Sequence, residues 1–250
     1  MIALNASQAI ALADDALVLG HRLSQWSSRA PTLEEDIALS NLALDLIGQA
    51  RLFYTLAGKI EGKGRDEDQF AYFRNADDFR NILLVELPNG DFAFTMARQL
   101  IYAAFVHPYF EALSHSREPG LAEIASKAVK EMAYHVRHSA EWVIRLGDGT
   151  DESRERMTAA LAELWNYTDE LFEMTDDERQ LAAAGIVPDR AALRPAWDRT
   201  IDHVLREAGL QRSIAGAAQS GGRSGRHTEH LAPMLADMQS LARAHPGATW

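Results

Sequence analysis

Apolar residues recur along most of this chain at the three- and four-residue intervals of an amphipathic helix, and the two-residue alternation of a strand is nearly absent. Leu12, Leu19, Leu23 and Trp26 give one apolar face over residues 7–28, which Pro31 ends. Thr32, with Glu35 three residues on, opens a second helix over 33–60, and Gly62, Gly64 and the charged run Arg65–Asp68 stop it. The connection that follows, up to Pro88-Asn89-Gly90, is long for a structureless loop, so short helical pieces are expected at Gln69–Arg74 and Phe79–Leu87. Asp91 caps a third helix running to about residue 116, in which Phe92, Met96, Leu100, Ala103 and Phe110 share a face. Pro119-Gly120 separates it from a fourth, 121–146, ended by Gly147-Asp148-Gly149. Further helices are expected over 151–173, 189–208 and 228–244, with Thr228 capping the last and a flexible segment at 216–225 ahead of it.

Four long helices joined by short, long and short connections match the ferritin-like arrangement with one crossover. The expected fold is all-α: a ferritin-like four-helix bundle over about 7–146, with a C-terminal helical extension over about 150–250. At 250 residues and 47% apolar content, one domain spanning 1–250 is the default.

Two of the helices carry polar residues where a bundle core would place apolar ones. The second is apolar almost all round (Ala38, Leu39, Leu42, Ala43, Leu44, Leu46, Ile47, Ala50), the mark of a central helix, yet Asn41, Asp45 and Gly48 line up on it. On the fourth, Lys127, Glu131, His135, His138 and Trp142 run beside an apolar stripe of Val129, Met132, Val136 and Val143. Di-iron carboxylate bundles draw a Glu-x-x-His pair from each of two helices and one Glu from each of the other two. This chain comes close and misses. Counted from Glu131, the third residue on is Tyr134, with the histidine one place late at His135; counted from Asp45 it is Gly48. Asp14 is the first-helix carboxylate nearest to a lone bundle ligand, although a solvated face shared with Asp15 explains it equally well. Asp45 reads as a core carboxylate neutralised by Lys127 or Arg51, and Glu131 as a helix-pair partner of Lys127.

Composition narrows the chemistry. A net charge of −11 argues against nucleic acid as a partner. The absence of cysteine excludes disulfides, thiolate clusters and cysteine nucleophiles, and fits a reducing cytoplasm. No apolar run is long enough to span a bilayer, and the N-terminus lacks the basic region and cleavage pattern of a signal peptide. In SGGRSGRHTEH, residues 220–230, Arg223, Arg226 and His227 sit on a glycine-rich loop ahead of a helix. They are candidates for contact with a partner or with phosphate groups. The glycine spacing matches no nucleotide fingerprint, and His227 with His230 completes no zinc ligand set.

The blocks LVLGHRLSQW (17–26), DIALSNLALDLIGQAR (36–51), LLVELPNGDFAFTMARQ (83–99), KAVKEMAYHVRHSAEWVIRLGDGT (127–150) and GGRSGRHTEHLAPMLADMQSLARAHPGATW (221–250) resemble, in order, the C subunits of phenylacetyl-CoA 1,2-epoxidases of aerobic phenylacetate catabolism. That resemblance implies a structural, non-catalytic ferritin-like subunit with no cofactor of its own. It implies a tight complex with the catalytic A subunit, which carries di-iron and binds phenylacetyl-CoA, while a separate flavin and iron–sulfur reductase supplies electrons. Self-association and contact with substrate are left open. The alternative from a different class is an autonomous ferritin-like di-metal oxidase or oxygenase.

Overall fold

The computed structural model describes residues 4–214 and 216–248, so the extreme ends of the expected 1–250 span lie outside it. Among these residues the regular structure is helical, with ten α-helices, several short 3₁₀ turns and no strand. They cluster into two compact units. Leu4–Pro88 join the residues from Gly221 onward in the first, and Asn89–Ser220 make the second.

In the first unit, α1 (Ala6–Ser24) and α2 (Leu33–Glu61) pack along their lengths as a helical hairpin. Asn5 caps α1 by accepting from the Gln8 N–H, and Thr32 caps α2 by accepting from Glu35. Gly20 lets the two helices close together. A Cβ there would sit 3.0 Å from the Ile47 side chain and 3.2 Å from the Ala43 carbonyl oxygen. α1 is buried almost all round. α2 is not the central helix its composition suggests, because Leu33, Ile37, Leu44 and Leu52 face solvent together with Asn41 and Gly48. Two short helices follow, α3 (Glu67–Tyr72), whose Asp66 and Gln69 form a capping box, and α4 (Leu83–Glu86).

The second unit opens with α5 (Phe92–Leu113), capped by Asp91, which accepts from Phe94 N–H at 2.9 Å. It is buried from Ala93 through Val106 without a break. Along it lies α6 (Pro119–Gly147). Pro119 does not separate the helices; it occupies the first turn of α6, where its missing N–H has no partner to lose. The buried stripe of α6 runs through Ala128, Met132, His135, Ser139 and Val143, so it takes His135 in and leaves Val129 and Val136 at its edge.

α7 (Asp151–Leu164) stops earlier than its periodicity suggests. The Thr168 hydroxyl bonds back to the Trp165 carbonyl at 2.9 Å, and Trp165 and Phe172 turn inward onto Trp197 at ring separations of 5.8 and 5.6 Å. α8 (Asp176–Ala183) was not anticipated, although Thr175 and Glu178 form a capping box legible in the sequence. In α9 (Arg194–Glu207), the fully buried Trp197 donates its indole N–H to the Ile101 carbonyl at 3.0 Å. The chain then re-enters the first unit at Gly221. α10 (Leu231–Ala244) starts three residues later than expected and packs on α3. Among the described residues no helix is long and apolar enough to cross a membrane.

Candidate functional site

Asp14 and Asp15 do not lie on a solvated face; both are buried, Asp14 completely. A carboxylate in such a place is tolerated only with a cation or donors around it. Asp14 has them on every side. The Arg74 guanidinium reaches its two oxygens at 2.5 and 3.1 Å, the Tyr54 hydroxyl donates at 2.5 Å and the Arg80 N–H donates at 2.7 Å. Burial lowers the affinity of Arg74 for its proton, but the charge and hydrogen bonds of Asp14, with Tyr54 and Asp78 nearby, together outweigh this and hold it above its ordinary value. Burial, followed by the same carboxylate, pushes the Tyr54 phenol well above its usual range. Arg74 also stacks over the Phe79 ring, its guanidinium carbon 4.2 Å from the centroid.

The neighbouring carboxylates meet the returning C-terminal segment. Arg223 pairs with Asp15 and donates to the carbonyls of Ala11 and Arg80 at 3.1 and 2.6 Å. His227 presents Nδ1 to the Glu86 carboxylate at 2.8 Å and Nε2 to the Phe79 carbonyl at 3.0 Å. Both ring nitrogens face oxygen acceptors, which only the doubly protonated imidazolium satisfies by donating from each. Burial pulls its pKa down; the hydrogen bond and charge of Glu86, with the Phe79 carbonyl and Asp14, together more than offset that and raise it above the ordinary value. Glu86 also accepts from the Thr228 N–H and the Asn81 side chain. The loop that sequence offered as a flexible docking or phosphate-binding element is therefore a clasp, with Arg223 and His227 turned into protein and only Arg226 of the three exposed. Thr228 contributes its backbone to Glu86 and caps no helix. Gly222 is pressed so close that a Cβ would lie 2.0 Å from the Asn81 carbonyl oxygen.

In the second unit, His135 is fully buried and its Nδ1 lies 3.0 Å from Nε2 of Gln99 on α5. The residue three places before His135 on the same buried stripe is Met132, so the i, i+3 spacing holds a thioether and no carboxylate. Glu131 and Asp45 are half-buried, and Lys127 is exposed. Arg51, proposed as a partner for Asp45, instead pairs with Glu67. Arg74, Glu86, Gln99 and Met132 were not foreseen. Each lies far in sequence from its partner or wears a residue type that attracts no notice in a core.

The ferritin-like class implies a dinuclear metal centre, and these residues do not fit one. Asp14 accepts four hydrogen bonds from three groups, Gln99 and Met132 offer no carboxylate, and among the described residues no group of three or more His, Cys, Asp or Glu is disposed to hold an ion.

Residues 3–250 match the family model described as phenylacetic acid catabolic protein. The chain belongs to that family. It is 46% identical over 239 residues to the C subunit of the 1,2-phenylacetyl-CoA epoxidase of Escherichia coli (strain K12), and the alignment covers 96% of each chain. The family and the helical architecture agree with the all-α, ferritin-like class expected from the sequence.

Proposed function

We propose that this chain is a non-catalytic structural subunit of a multicomponent phenylacetyl-CoA epoxidase, binding and stabilising the partner that carries the di-iron centre. The observation that carries this reading is the Asp14 carboxylate, whose acceptor capacity is taken up by Arg74, Tyr54 and the Arg80 N–H, so that a guanidinium supplies the positive charge a metal would supply. The near full-length likeness to an epoxidase C subunit supports it. In this reading the chain holds no cofactor and works in the cytoplasm. Flavin and iron–sulfur groups reside in a separate reductase.

The test is to express the iron-bearing partner with and without this chain. Its yield, iron content and epoxidation with the reductase should fall when the chain is absent; equal performance alone overturns the structural role. Fe(II) incubation of the purified chain separates the alternative, an autonomous di-metal oxidase, which requires about two irons per chain.

A further inference from the structure

Seven large apolar residues are exposed among the described ones, and four of them, Leu33 (71%), Ile37 (54%), Leu44 (66%) and Leu52 (37%), lie on α2. At 3.6 residues per turn these four fall within an arc about 100° wide, together with the exposed Asn41 and Gly48. A concentration of this kind on one helix marks a contact surface. The order of the six residues is the same read from either end: steps of four, four, three, four and four, centred between Leu42 and Ala43. A twofold axis through that centre sets Leu33 opposite Leu52 of a second copy, Ile37 opposite Gly48, and Asn41 opposite Leu44. The same operation sets Glu34 opposite Arg51, both exposed and of opposite sign, with Arg51 also paired to Glu67 of its own chain. Gly48 has no atom within 4 Å of a Cβ position, which leaves a notch for the opposing Ile37.

From this spacing and charge match we infer that α2 is a self-complementary docking face, on which a second copy of this chain packs antiparallel about a twofold axis. At a crossing angle of about 20° the outermost pairs, roughly 14 Å from the axis, are displaced by only ~5 Å, within reach of Leu and Arg side chains. A stripe ~29 Å long is a small footprint beside the ~800 Å² per partner of a standard interface, so the pair is reversible, with a dissociation constant on the order of micromolar. This pairing does not depend on the epoxidase reading.

Sedimentation velocity over a concentration series tests it. The wild-type chain should pass from monomer to dimer, and Leu44→Glu, a substitution at an exposed position, should weaken dimerisation by about a hundredfold or more while leaving the melting of the dilute monomer unchanged. Because the chain has no cysteine, Leu33→Cys and Leu52→Cys variants can be mixed with a short thiol crosslinker. Crosslinks should join position 33 of one copy to 52 of the other, and not 33 to 33. A chain monomeric well above micromolar concentration, a dimer indifferent to Leu44→Glu, or a 33-to-33 crosslink overturns the proposal. So does a chain monomeric by itself whose Leu44→Glu variant no longer binds the iron-bearing partner; that result gives the face to the other protein and leaves the structural role standing.

Discussion

Arg74 and Asp14 form a deeply buried ion pair in the first unit, and their worth depends on being kept together. Removing one partner of a buried pair leaves an uncompensated charge, so Asp14→Ala should lower unfolding free energy by about 3–5 kcal/mol in urea titrations. Tyr54→Phe removes one of four donors and should lower it by only about 1 kcal/mol. His227 gives a pH signature. Its folded-state pKa is raised, so its stabilisation is complete below the unfolded value near 6.5 and fades as pH rises through the folded value. Urea midpoints should therefore decline on the alkaline side of ~6.5, and His227→Gln should flatten that decline. His21 works in the opposite sense, since burial lowers its pKa and favours unfolding on acidification. At this scale the sequence was only partly legible. Asp14 and His227 stand out as polar residues in apolar or glycine-rich surroundings. Their partners lie 60 and 141 residues away, and no local pattern names a guanidinium at that distance.

The helices themselves were far easier to read. Caps at Thr32 and Asp91 and the long periodicities of α1, α2, α5 and α6 set most of their limits, because those signals act within a turn or two. What failed were places where tertiary contacts decide. The aromatic cluster around Trp197 accompanies the early end of α7, and the register of α6 shows only once Met132 and His135 are seen on one buried stripe. Glycines give a paired test of how closely elements pack. Gly222→Ala would drive a Cβ into the Asn81 carbonyl and should cost about 1–3 kcal/mol, with faster proteolysis of the C-terminal segment. Gly48→Ala meets nothing within 4 Å on the exposed face of α2 and should raise monomer stability by about 0.5–1 kcal/mol. Thermal melts of the two variants, measured on dilute protein, should shift in opposite directions.

For the molecule as a whole, the all-α class was readable because helical spacing persists through nearly every segment. The candidate site was less so, since Met132 and Gln99 are residue types that draw no notice as neighbours of a buried histidine. If the structural role is right, Asp14→Ala should reduce epoxidation in the assembled system only in proportion to the protein lost, checked by activity per mole of intact complex. The clasp at Arg223 and His227 also has a consequence in time. The second unit is built from a continuous run of chain, whereas the first begins at Leu4 and is finished only by residues from Gly221 onward. During synthesis α1, α2 and α4 leave the ribosome long before the cations that Asp15 and Glu86 await and the helix that covers α3. A ribosome that stalls before Gly221 thus leaves a chain with its first unit open to chaperones and proteases, and only a polypeptide translated through its last helix can close it.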